Sequence, residues 1–302
     1  MNTNTPAALR LGALGAAALL ALTACGNDAG DDTTAESNGA AENGAAADGA
    51  EAVTIAIAGE DPYSYLDENG EPTGATVAVA QEIFGERMGY AVDITEEPTW
   101  GNLIPGLGAG HWNVVSAGMS ITPDRCAEAA FGEPELVYTT AFLVEDGNPH
   151  NVHNFDDLSE ANINVVAMSG AVEAGWMDDL GIEYSTVDTP DDGIDFVEGG
   201  RADVFALTAI SLQSMAGDMD GVEVTDSFAH EISVGAHAFR LEDEDLVAEF
   251  NEHLAELQDS GEYLDLVSEF GFTEDEMPPS GLTAQELCEE DPAELTEQYL
   301  ED

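Results

Sequence analysis

Positive charge is scarce in this chain, so each instance of it carries information. Only five residues are basic, all arginines (Arg10, Arg87, Arg125, Arg201 and Arg240), against 63 acidic ones, and there is no lysine. Arg125 has the most suggestive setting, directly after the AGMSITPD run at 117–124. A guanidinium there can grip a carboxylate through two parallel hydrogen bonds. Gly118 and Ser120 lie beside it and can add a backbone N–H and a hydroxyl. A structural salt bridge is the alternative use of such an arginine. A second group of donors is expected at SGAVE, 169–173, where a strand gives way to a helix. Backbone N–H groups at a helix start, here those of Ala171 and Val172, suit a carboxylate. The three cysteines are Cys25, Cys126 and Cys288. The six histidines (His111, His150, His153, His230, His237 and His253) fall at no metal-binding spacing, so no metal or cofactor is expected. They read as surface or boundary residues.

The elements that must position these groups follow from apolar patterning. VTIAIA at 53–58 reads as a buried strand. Residues 76–88 place Val77, Ala80, Phe84 and Met88 on one helical face, and Asn102 to Gly108 opens a short helix with Leu103, Ile104 and Leu107 inward. WNVVSAG at 112–118 is a further strand, and Pro123 starts a helix in the first turn, where proline is tolerated. This alternation is that of an α/β sheet. After a polar break at 145–151 a second α/β unit follows, with strands at 163–167, 185–188 and 203–207 and helices between them. A strand at 233–240 and helices at 243–258 and 261–270 close the pattern. The chain is thus expected to leave one lobe near 145 and return near 236, giving lobe 1 as 53–144 plus 237–302 and lobe 2 as 145–236. Two crossings make a hinge, and clefts between domains are favoured ligand sites.

The amino terminus addresses the compartment. Arg10 precedes an apolar run, Leu11 to Ala24, shorter than the roughly 20 residues of a membrane-spanning helix. It fits the apolar core of a secretory signal at 1–24. The run ends Leu22-Thr23-Ala24-Cys25, which resembles the bacterial lipobox. Cys25 is therefore expected to carry the lipid that anchors the mature chain to the outer face of the cell membrane. Residues 25–52 then form a disordered acidic tether. With Cys25 lipidated, Cys126 and Cys288 are left. Outside the cytoplasm two cysteines most often pair, two free thiols being the alternative.

The formal net charge of -58 disfavours nucleic acid and anionic lipid as partners. A hydrophobic content of 44% and recurring apolar segments argue for a folded body. Such a surface suits high salt, where the Debye length falls to about 3 Å and carboxylate repulsion is screened.

Residues 99–144, TWGNLIPGLGAGHWNVVSAGMSITPDRCAEAAFGEPELVYTTAFLV, resemble the amino-acid family of periplasmic solute-binding proteins. That family carries a WxxLIPxLxxGxxDxxxAGMxxTxxR stretch, here Trp100 to Arg125, before an FSxPY segment, here Phe131 to Tyr138. GEDPYSYLDENGEPTGATVAVAQEI at 59–83 is similar to its first strand-turn-helix, and the likeness extends over 53–285. It implies a two-lobed type II periplasmic-binding-protein fold with two interlobe crossovers, working as a monomer with the permease subunits of an ABC importer. Within the family the likeness is narrowest to its ectoine and hydroxyectoine binders, through Glu60-Asp61-Pro62-Tyr63, the Arg125-Cys126 pair and FGFTEDEMPPSGLTAQELC at 270–288.

Ectoine is a zwitterion with a carboxylate and a cyclic amidinium. By this resemblance Arg125 takes the carboxylate, Tyr63 and Trp100 offer cation-π faces, and Glu60 faces the amidinium. Ser120 departs from the pattern, since those binders carry a third aromatic near here. Tyr65, Phe131 or Phe142 would have to substitute. Thr208 stands where ordinary amino-acid binders place an aspartate for the α-ammonium, which argues against a simple α-amino acid. A polar amino acid or a betaine is the alternative solute. A cyclohexadienyl dehydratase-like enzyme on the same fold is the alternative of another class. It would need a poised acid or base, for which Glu60 and Glu173 are the candidates, and neither belongs to a recognisable catalytic motif. The chain is therefore expected not to be an enzyme.

Overall fold

The computed structural model describes residues 51–160 and 163–300. The signal run, Cys25 and all but the end of the tether lie outside these residues. Two sheets organise the described chain. In the first, Ala91–Glu96, Ala52–Ile57 and Val114–Ser120 run parallel, and Val234–Phe239 joins antiparallel beside Val114–Ser120. The short strands Ala130–Phe131 and Leu136–Val137 finish that edge. In the second, Ser185–Val187, Val165–Met168 and Val204–Thr208 run parallel, with Thr140–Glu145 antiparallel beside the last and Val222–Val224 at the edge.

Both sheets are covered on both faces, which is why their strands read as unbroken apolar runs. Successive residues alternate between two cores, as a strand requires. Ala56, Val115 and Ala238 face one core of the first sheet, and Ile55, Val114 and Phe239 face the other. In the second sheet Val166 and Phe205 face one side, and Val165 and Val204 the other. All seven residues of Val114–Ser120 are buried. Ala75–Ala80 continues as a π-helical stretch, Gln81–Arg87, whose wider turn brings Ile83 in beside Phe84 and leaves Met88 half-buried.

The polar stretch 145–151 is not where the chain changes lobe. Thr140–Glu145 already belongs to the second sheet, so the outward crossing lies between Tyr138 and Thr140 and the return between Phe228 and Val234. Bridging hydrogen bonds join the two crossings: Tyr138 N to Ser233 O at 3.1 Å, and Thr140 and Phe228 N–H each to the other's carbonyl at 2.9 Å. An apolar run such as TAFLV looks alike in either sheet, and its partner strand is sixty residues away.

Cys126 and Cys288 are joined, with Cα atoms 5.7 Å apart and the two residues 162 positions apart in sequence. The bond ties helix Pro123–Cys126 to helix Ala284–Glu289. His237 is not a boundary residue: it is 1% exposed, on the central strand Val234–Phe239. Glu135 accounts for this, accepting from the His237 backbone N–H at 2.7 Å and lying 2.8 Å from Nδ1. Among the described residues no helix is long and apolar enough to cross a membrane, and no cluster suited to a metal ion is found.

Candidate functional site

The carboxyl ends of the parallel strands of both sheets meet in one cleft, where open α/β sheets place ligands. Glu60 and Tyr63 follow Ala52–Ile57, Gly118 and Ser120 end Val114–Ser120, Ala171 and Val172 follow Val165–Met168, and Thr208 ends Val204–Thr208. With Trp100 and Arg125, these nine sequence-derived candidates all line the same cavity. Ala117, Tyr138, Met168, Glu173 and Leu207 complete its wall.

Arg125 enters because Thr122 caps the short helix Pro123–Cys126 and fixes its first turn. Its guanidinium donates to Ser120 O at 3.0 Å and, across the cleft, to Gly170 O at 2.8 Å. The other described arginines are committed elsewhere. Arg87 pairs with Glu82, Glu256 and Glu262, Arg240 pairs with Asp243, and Arg201 lies over the Phe196 ring. In a chain with 63 acidic residues, Arg125 has no carboxylate within salt-bridge distance among the described residues. Burial in the cleft lowers its pKa, and Tyr138 and Glu173 act against that fall.

Glu60 is 4% exposed. Its Oε1 accepts from Ser211 Oγ at 2.6 Å and lies 3.3 Å from Thr208 Oγ1, both on the opposite lobe. Burial pushes its pKa up to about 7, with those hydroxyls holding it down. Glu173, 2% exposed, sits in the first turn of helix Val172–Leu180 on the second lobe. Its pKa is also raised to about 7, by burial first and then by the charge of Glu60, against its own backbone N–H, Arg125 and the Thr140 hydroxyl.

Three aromatic rings face the cavity. Tyr63 packs edge-on against Tyr138, with centroids 6.0 Å apart. Trp100 lies 5.9 Å from the Arg125 guanidinium and donates from Nε1 to Gly170 O at 3.3 Å. Tyr138 bonds to the Ser120 hydroxyl, and burial pushes its pKa up to about 12. The third ring is thus Tyr138, not Tyr65, Phe131 or Phe142. Phe142 is packed against Phe155 and Phe228, Phe131 belongs to a core of the first sheet, and Tyr65 lies in a two-stranded hairpin. Gly118 makes room for this arrangement. Its φ is +58°, and a Cβ there would lie 2.5 Å from the Tyr63 ring, so a side chain is excluded twice over.

The SGAVE turn differs from expectation in one respect. The group it turns toward Arg125 and Trp100 is the Gly170 carbonyl, an acceptor, rather than an N–H. Ala171 is the N-cap and provides no side-chain cap, and the Glu173 carboxylate takes up its own first-turn N–H. Tyr138 and Ser211 are polar groups that sequence reasoning left out of the site, and Glu173 was named only as a candidate acid or base. The cavity's free volume is only about 20 Å³, about one water. Groups from the two lobes satisfy one another across it. A larger groove of about 550 Å³ lies on lobe 1 around Glu133, Gln258 and Met277. It gathers no arginine and no residue of the second lobe.

The family of bacterial extracellular solute-binding proteins, family 3, matches residues 53–273. A relative from Sinorhizobium fredii, the probable amino-acid ABC transporter periplasmic-binding protein y4tE, is 34% identical over 249 residues, 78% of this chain and 82% of the relative. The L-cystine-binding protein TcyJ of Escherichia coli is 26% identical, over 66% of this chain and 74% of its own length. Among solved structures, EhuB in complex with hydroxyectoine matches with a TM-score of 0.71 at 29% identity, covering 79% of this chain and 95% of that one. Holo ArgBP from T. maritima matches with a TM-score of 0.62 at 26% identity, covering 68% and 90%. The two-lobed α/β architecture is that of the periplasmic binding proteins.

Proposed function

This chain belongs to the bacterial extracellular solute-binding proteins, family 3, and from that membership we propose that it captures ectoine or hydroxyectoine between its lobes for an ABC importer. The observation that carries this is Arg125, an arginine in the cleft with no carboxylate partner among the described residues. A solute carboxylate can supply that partner. Glu60 supplies the counter-charge for a delocalised cation, and Tyr63, Trp100 and Tyr138 supply faces for it. Thr208 at the end of its strand offers a hydroxyl where an α-ammonium would call for a carboxylate. The likeness to EhuB supports the same choice of solute. Cys25 would hold the protein on the outer face of the membrane as a lipoprotein. The permease subunits are its partners, it works as a monomer, and nucleic acid is not a ligand. The acidic, lysine-free composition suits a cell in brine, which has reason to recover compatible solutes.

Calorimetric titration with ectoine and hydroxyectoine in molar NaCl tests the solute, with an expected dissociation constant at or below micromolar. Absence of heat with both, alongside clear binding of glutamine, arginine or glycine betaine, would overturn it in favour of a polar amino acid or a betaine. Thermal melts in dilute buffer and in molar NaCl test the brine assignment. Stability should fall on desalting, and indifference to salt would reject it.

One observation favours a second reading. Glu60 and Glu173 both sit at about 7, the range of a poised general acid or base, as a cyclohexadienyl dehydratase-like enzyme would need. Turnover of a cyclohexadienyl substrate would decide for it.

A further inference from the structure

Among the described residues the cleft leaves two buried polar atoms without a hydrogen-bond partner, the Tyr63 hydroxyl and Glu173 Oε1. An unpartnered buried carboxylate oxygen carries its full desolvation penalty, and such atoms in folded proteins call for an explanation. Glu173 lines the same cavity as Glu60 but stands on the other lobe. The ionisable groups around it are Glu60, Arg125, Tyr138 and Tyr63. Two carboxylates thus share the site with one guanidinium, and lysine is absent from the chain. Glu173 is held by its own backbone N–H, the Thr140 hydroxyl and the charge of Arg125, and its Oε1 is still left without a donor among the described residues, a donor that a solute N–H can supply.

We propose that Glu173 is the second acceptor for the solute's cation, so that a bound molecule donates an N–H to Glu60 on one lobe and another to Glu173 on the other. This rests on the solute-capture function proposed above and narrows the class of solute. A cyclic amidinium suits the arrangement, because its two N–H bonds diverge on either side of the amidine carbon. One carboxylate cannot receive both, whereas two acceptors on opposite walls can. A quaternary ammonium has no N–H and would leave Glu173 Oε1 as unsatisfied as before. The same bridge explains how a solute holds the cleft shut, since each lobe would grip a different edge of one rigid ring.

The test is calorimetric titration of the full chain and of Glu173→Gln with ectoine, arginine and glycine betaine at pH 8 in molar NaCl. Ectoine titrations are repeated near pH 7 in two buffers of different ionisation enthalpy. Glutamine keeps the shape but loses the anion, and a weakening of roughly ten- to hundredfold is expected for ectoine. Cation binding favours the ionised carboxylates, so native protein should release protons near pH 7, and the variant should release fewer. A merely structural role would not move that proton count. The variant's melting temperature at pH 8 should match or exceed the native value, since a strained buried carboxylate has been removed. Equal affinity and equal proton release in both proteins would overturn the inference, as would native binding of glycine betaine alone. If native protein binds arginine but not ectoine and the substitution weakens that binding, the ectoine assignment fails and the role of Glu173 stands.

Discussion

The two halves of the cleft are made of different material. Lobe 1 contributes long, chemically distinct side chains: Glu60, Tyr63, Trp100, Arg125 and Tyr138. Lobe 2 contributes a backbone carbonyl at Gly170, the small residues Ala171 and Val172, and the hydroxyls of Thr208 and Ser211, with Glu173 its one charged exception. Lobe 1 is also the braced half, because Cys126, next to Arg125, is tied to the helix Ala284–Glu289. The difference suggests a division of labour. On the proposed function, a solute is first held on the braced lobe 1, and lobe 2 closes over it with Glu173 and the bonds that only closure permits.

The largest expected effect tests the bracing. In the chain-entropy model a crosslink spanning 162 residues stabilises by about 5 kcal/mol, and removal of a native disulfide is measured at about 2–5 kcal/mol. Cys126→Ser with Cys288→Ser should therefore lower the denaturant midpoint by that order. Hydrogen exchange should quicken in 284–300 and around Arg125 while the sheet of lobe 2 keeps its protection. Equal loosening of both lobes would remove the stiffness argument. Next comes Arg125→Ala, for which binding should weaken at least about a hundredfold, from the roughly 2–5 kcal/mol lost when one partner of a buried charge pair is deleted. The melting temperature should barely move, because the described structure gives Arg125 no carboxylate to abandon. Retention of affinity within tenfold would mean that lobe 1 does not hold the anchor.

How much of this could be read from the chain depended on how local the signal was. Strands covered on both faces showed as apolar runs, and a helix start showed at Pro123, so element order was legible. The crossing was not, because the pairing of Thr140–Glu145 with Val204–Thr208 is a fact about residues sixty positions apart. Arg125 stood out because bases are rare. Glu173 was named only as a candidate acid or base, since one more glutamate among 63 acids gives no sign of a solute contact until tertiary structure buries it. His237 was misjudged for the same reason, its burial depending on Glu135, 102 positions away. Tyr138 was visible as the end of a motif, but its place beside Ser120 depends on the return of Val234–Phe239 next to Val114–Ser120.

Glu60→Gln sharpens the contrast between the lobes through pH. The Glu60 carboxyl, raised by burial to about 7, holds a proton in the folded protein that the unfolded chain has released above its ordinary value of 4.5. Stability therefore falls as pH rises from about 4.5 to 7, and the glutamine variant should lose that share of the slope. Affinity for a cationic solute runs the other way, rising as Glu60 ionises through about pH 7. Glutamine should cost roughly tenfold at pH 8 and flatten the rise. Titrations at pH 6 and pH 8 read both. An unchanged slope would remove Glu60 from the cation's side of the site.

Thr208→Val should have the smallest effect, and it bears most directly on lobe 2. Valine keeps the shape of threonine and removes only the hydroxyl that reaches Glu60 Oε1 at 3.3 Å. Ser211 still donates to the same oxygen at 2.6 Å, so Glu60 stays in place. The expected loss is that of one ordinary hydrogen bond, about 0.5–1.5 kcal/mol or a few-fold in affinity, and it should fall mainly on the dissociation rate, since the contact forms only on closure. Because the Thr208 bond lowers the Glu60 pKa, its removal should also move the pH-dependent rise in affinity slightly upward. A hydroxyl that only helps lobe 2 to close would show this small, rate-specific signature. A loss as large as that of Glu60→Gln would instead make Thr208 a contact to the solute itself.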